Sequence, residues 1–121
     1  MDCRKMITNQ VTIPSKIRVK SGVEFLLDTW SWPEMCRIVQ QAQILAPAGY
    51  EITITSGCDG KGIHKSTSKH FMGKAFDFRI RDFPANASPA TWGKRLQNRL
   101  GDEYFVELDE PKQHLHVQWN G

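Results

Sequence analysis

Apolar positions recur with two different periods along this chain, and the switches between them mark its elements. Val11, Ile13, Ile17 and Val19 alternate with polar residues between Gln10 and Val19, which predicts one or two short strands interrupted at Pro14. The period then lengthens. Met35, Ile38, Val39, Ala42, Leu45 and Ala46 fall at helical spacing behind Ser31 and Glu34, which have the form of a capping box. A helix from about Trp32 to Ala46 is expected, stopped by Pro47 and Gly49. Tyr50 to Thr55, rich in β-branched residues and bounded by glycines, reads as a strand.

The polar stretch SGCDGKGIHKSTSK follows as a loop and leads into a second strand from Ala75 to Ile80. Ser88 before Pro89 marks a helix start, and Trp92, Leu96 and Leu100 share one face before Gly101 ends the helix. Tyr104 to Asp109 and His114 to Trp119 flank Glu110, Pro111, Lys112 and Gln113, so the chain closes on a hairpin with a type I turn. This order predicts an α+β fold, with a mainly antiparallel sheet and helices packed on one face. Residues 1–121 are expected to form one domain.

Composition narrows the function classes. The 121 residues suffice to bury about two-thirds of the unfolded surface, so a monomer without disulfides is expected. Sixteen Lys and Arg against thirteen Asp and Glu give a net charge of +3, and the basic residues are interspersed with acids, which argues against a nucleic-acid partner. No apolar run is long enough for membrane insertion, and the first residues, MDCRKMITNQ, lack the apolar segment of a secretory signal. Synthesis in the cytoplasm is therefore expected. Cys3, Cys36 and Cys58 form no CxxC pair, so any metal must be held by His and carboxylates.

Three of the four histidines lie in two short segments, SKHFMGKAFD (68–77) and HLHVQW (114–119). His70 ends the loop and Asp77 lies inside the next strand, with Gly73 between them to let the backbone fold back. His114 and His116, two apart, share one strand face. A tetrahedral zinc with an open position needs three ligands, and His70, Asp77 and His116 supply two imidazoles and a carboxylate. A carboxylate inside the apolar run AFDF also needs a strong partner.

The first segment matches Ser, any, His, two any, Gly, any, Ala, any, Asp without a gap, a chance event on the order of 10⁻⁶ per starting position. Followed by the His-any-His strand, it resembles the zinc D-Ala-D-Ala carboxypeptidase and phage endolysin peptidase family, which includes vancomycin-resistance dipeptidases and shares its fold with the hedgehog signalling domain. The resemblance implies a hedgehog-like fold, zinc on His70, Asp77 and His116, and His114 as a second histidine near the reacting carbonyl. It also implies hydrolysis of peptidoglycan stem peptides, as a D-Ala-D-Ala carboxypeptidase or an L-Ala-D-Glu endopeptidase, acting on the wall after release or from a phage particle.

Glu110, four residues before His114, matches the catalytic base, with Asp109 and Glu107 as alternatives because Gln113 occupies the place where many relatives carry an acid. Those relatives also have an arginine after Thr-Ser-Gly, where this chain reads TSGCDG. Arg79, two residues past Asp77 on the same strand, is the candidate for binding a substrate carboxylate in its stead. Ser68 is placed on the substrate side, fixing the His70 loop by hydrogen bonds. His64, Lys61 and Lys65 read as solvent-facing. Two rival readings are a zinc-bearing binding module of the same fold without turnover, and a cysteine amidase using Cys58 with His70 and Asp77. Asp59 beside Cys58 weighs against the amidase, because its charge raises the thiol pKa.

Overall fold

The computed structural model describes residues 17–23, 32–57 and 74–121, with the backbone alone for Trp32. The elements run β1 (Arg18–Val19), α1 (Trp32–Leu45), β2 (Thr53–Ser56), β3 (Ala75–Arg79), α2 (Pro89–Leu100), β4 (Tyr104–Asp109) and β5 (His114–Trp119). Pro14 and the first part of the expected Gln10–Val19 strand lie outside the described residues, as does Ser31 of the expected capping box.

The strands form one sheet in the order β1-β2-β3-β5-β4. Three pairings are antiparallel and β1 joins β2 in parallel, so the α+β expectation holds while the sheet is mixed. The parallel pairing follows from connectivity: β1 and β2 are separated by α1, and a crossover of that length permits two strands to run the same way.

Both helices bury one stripe against one side of the sheet. Met35, Ile38, Val39, Ala42 and Leu45 of α1 meet Ile54, Phe76, Phe78, Leu115, Val117 and Trp119, together with Trp92, Leu96 and Leu100 of α2. At roughly 1.5–3 kcal/mol per large buried side chain, these stripes outweigh any local propensity. The α2 boundaries follow their local chemistry. The Ser88 hydroxyl accepts a hydrogen bond from the Thr91 amide, Pro89 occupies the first turn, and Gly101 closes the helix at φ 99° with its N–H on the Gln97 carbonyl. The Trp92 indole N–H donates to the Ala42 carbonyl at 3.0 Å and ties the helices together.

The expected Tyr50–Thr55 strand begins later, at Thr53. The buried Gln43 side chain is the reason: its amide donates to the Tyr50 carbonyl at 2.9 Å and accepts from the Ile52 amide at 3.3 Å. A helix side chain thus takes the backbone groups that a neighbouring strand would have taken.

Candidate metal centre

Alternation along β5 sends Leu115, Val117 and Trp119 into the core and leaves His114, His116 and Gln118 on the face away from the helices. On β3, Phe76 and Phe78 point inward, so Asp77 and Arg79 share the outer face with the histidines. Glu107 and Asp109 of β4 lie there too, directly across from His116 and His114. Two rows result: Asp77, His116 and Glu107, then Arg79, His114 and Asp109.

Backbone bonding sets how closely each pair approaches. The Trp119 amide donates toward β3, to Lys74, and the Asn120 amide donates toward β4, to Glu103. His114 and His116 therefore exchange backbone hydrogen bonds with β4 and face Asp77 and Arg79 as non-hydrogen-bonded pairs. In such pairs the Cα atoms are about 4.5 Å apart, against about 5.5 Å in the bonded kind, and the side chains lie closer. Accordingly, His116 Nδ1 is 2.9 Å from Asp77 Oδ1.

Asp77 is only 5% exposed. Its Oδ2 lies 3.8 Å from His114 Nε2, and His114 Nε2 lies 3.7 Å from Asp109 Oδ2, so His114 sits between two carboxylates. On its far side, His116 Nε2 is 2.8 Å from Gln118 Oε1. Burial works against a charged His116 ring, but the hydrogen bonds to Asp77 and Gln118 and the charges of Asp77 and Glu107 outweigh it. Its pKa is raised above the ordinary histidine value. The neighbouring acids and Gln118 thus favour the protonated His116 ring at this point.

Asp77 and His116 are of the side-chain types that zinc takes. Their 2.9 Å contact is a hydrogen bond, shorter than the separation of about 3.3 Å between two ligands on a tetrahedral zinc with bonds near 2.0–2.1 Å. No group of three or more His, Cys, Asp or Glu side chains poised for a metal occurs among the described residues. His70, the third expected ligand, lies outside them, as do Ser68, His64, Lys61, Lys65, Cys58 and Asp59.

Glu110 stands apart from this cluster. It is exposed, and it borders a hollow with Ile80, Ser88, Pro89, Leu108 and Gln113, on the side where α2 packs. The turn explains this. Gln113 adopts φ 57° and donates its amide to the Glu110 carbonyl, closing a four-residue loop after the last outer-face position, Asp109. The acids brought to the histidines are Glu107 and Asp109. Asp109 Oδ1 also accepts from the Lys112 amide at 3.2 Å, which ties that carboxylate to the turn.

Arg79 is on the histidine face, paired across the strands with His114. Gln118, which the motifs do not single out, joins them on the same face, since the two-residue spacing that links His114 to His116 extends to it. Comparison with protein-family models, curated proteins and solved structures gives no match.

Proposed function

We propose that this chain is a zinc-dependent metallopeptidase that hydrolyses peptide bonds in bacterial cell-wall stem peptides, of the D-Ala-D-Ala carboxypeptidase or L-Ala-D-Glu endopeptidase type, on a hedgehog-like α+β fold. The observation that carries this reading is the buried Asp77 carboxylate 2.9 Å from the His116 imidazole, two of the three expected ligands, with the expected non-ligating His114 beside them.

His70, Asp77 and His116 would hold the metal. Zinc bound there supplies Lewis acidity and makes hydroxide available near neutral pH, since it lowers the pKa of water to about 7. Glu107, across from His116 and exposed, takes a proton from the attacking water on its carboxylate and returns it to the leaving amine nitrogen. Asp109 orients His114, whose ring N–H donates to the oxygen that gains negative charge as the carbonyl is attacked. The Arg79 guanidinium, one row along, binds a substrate carboxylate. The protein works as a monomer, on the wall after release from the cell or as part of a phage particle.

Metal analysis of the purified protein, followed by mass spectrometry of digested peptidoglycan, tests this. One zinc per chain and stem peptides cut at a single bond are expected. Folded, zinc-loaded protein that leaves the wall intact would refute the peptidase. The position of Glu110 away from the histidines favours one second reading, a zinc-bearing binding module without turnover. Loss of hydrolysis with retained zinc in Glu107→Gln excludes that module.

A further inference from the structure

Gly93 stands in the middle of α2, a position where glycine is otherwise unfavourable, and it is buried. A Cβ there would lie 3.1 Å from Leu115 Cδ1 and 3.7 Å from Val106 Cγ1, so the helix backbone rests directly on these two side chains. Beside that contact α2 and β4 diverge into a hollow of about 410 Å³. Its floor is Gly93, Val106, Leu108 and Leu115, and its rim on α2 is formed by Ala90, Lys94 and Asn98. A hollow of this size falls within the roughly 300–1,000 Å³ of small-molecule sites.

The surroundings select the occupant. The Gln97 side chain already holds the Tyr104 carbonyl at 2.8 Å and the Val106 amide at 2.9 Å, which closes this stretch of edge to an added strand, so a ligand must bind through the side chains of the hollow. Lys94 is the one charged residue lining it, and no carboxylate among the described residues pairs with that ammonium. The whole of α2 carries Lys94, Arg95 and Arg99 and no acid. Glu110 borders a separate, smaller hollow, and Glu107 and Asp109 lie on the opposite face of the sheet. A single unpaired cation above an aliphatic floor matches a flexible apolar chain with one negative charge. A dianionic phosphate would keep one charge unbalanced, and an aromatic ligand would find no ring to stack on.

We propose that the hollow between α2 and β4 binds an aliphatic carboxylate, with its charged end on Lys94 Nζ and its chain over Gly93, Val106 and Leu115. Burial of the chain supplies the affinity, and the ion pair sets which end lies at the rim. The site uses no metal and lies on the other side of the sheet from His114 and His116, so it stands whether or not the zinc reading does.

The test is a titration of the ¹⁵N-labelled full chain with hexanoate, octanoate, octanol and octylammonium, with chelator present, followed by ¹H–¹⁵N correlation spectra. Saturable shifts at Gly93, Lys94 and Val106 are expected. Octanoate should bind about tenfold more tightly than hexanoate, since each fully buried methylene contributes up to about fourfold and the hollow is open on one side. Octylammonium should bind about threefold or more weakly than octanoate, and Lys94→Glu should reverse that order while leaving octanol within about twofold. Because Lys94 is exposed and the reversal is a gain for one ligand, a folding defect would not imitate it. The proposal fails if the shifts do not saturate or centre on His114 and His116, if chain length has no effect, or if Lys94→Glu keeps the preference for octanoate. It also fails if sedimentation of the ligand-free protein shows that a second copy of the chain covers the hollow.

Discussion

Replacing Asp77 by Asn, alone and together with His116→Gln, probes the pair at the centre of the candidate site. The carboxylate side chain is 7% exposed and the imidazole 18% exposed, so their 2.9 Å contact is largely shielded from water. A hydrogen bond to a charged partner in such a place contributes about 1.5–3 kcal/mol, and solvent at the imidazole edge favours the lower half of that range. We take about 2 kcal/mol. An unfolding entropy near 2.1 cal/mol/K per residue gives about 0.25 kcal/mol/K for 121 residues, so Asp77→Asn should lower Tm by about 8 °C. The measurement is thermal and urea unfolding at pH 6 with chelator present, where the raised His116 pKa keeps the ring charged. In the double-mutant cycle the two substitutions should couple by about 1–2 kcal/mol. Zinc at about 1,000 times its Kd should then stabilise the native chain by about 4 kcal/mol and leave Asp77→Asn nearly unmoved. Additivity within about 0.5 kcal/mol, or an equal zinc shift in both proteins, would refute the pairing or the metal site respectively.

Gln97→Leu strips the Tyr104 carbonyl and the Val106 amide of their side-chain partner and should cost about 1–3 kcal/mol, read as a lower urea midpoint at unchanged slope. Burial, and then the hydrogen bond to Asp82 and its charge, raise the Tyr50 pKa. The folded state therefore holds that proton more tightly than the unfolded state. The resulting stability is complete below the ordinary tyrosine value near 10 and is lost as pH climbs beyond it, so Tyr50→Phe should flatten the decline in urea midpoint between pH 9 and 11. Glu107→Gln should lower kcat/KM on wall peptides by about 10²–10⁴ with zinc retained. Glu110→Gln should change it by less than about threefold, and the reverse ranking would return the base to the turn.

The parts of the fold that could be read in the sequence are those whose determinants are local. Ser88, Pro89 and Gly101 bracket α2 because each satisfies or terminates backbone groups within a turn of itself. The β4–β5 hairpin shows in the chain because one face is buried, and a period of two then has a single consistent phase. The late start of β2 depends on Gln43, seven residues before Tyr50, and no local rule assigns a helix glutamine to a strand's backbone. The parallel β1–β2 pairing is likewise set at long range, by Arg18 and Lys20 donating to Ile52 and Ile54 across the crossover.

The candidate site divides along the same line. The face of each residue follows from parity, so Asp77, Arg79, His114 and His116 could be assigned to one surface from spacing alone. Spacing does not reveal which cross-strand pairs exchange backbone bonds, and that distinction decides which side chains come close. It makes Asp77 and His116 near neighbours and sets Glu107 farther from the same imidazole, on the bonded side. This arrangement suits the proposed chemistry: a ligand pair must span a single ion, whereas a base must stand off by the width of a water molecule. Glu110 fails that requirement for a reason of phase. It follows Asp109 by one residue into the turn, and one step along an alternating strand carries a side chain from the histidine face to the α2 side. Shortening the turn with Asp109 and His114 still paired would leave Glu110 one residue past the last outer-face position of β4, and so would not bring it to the histidines.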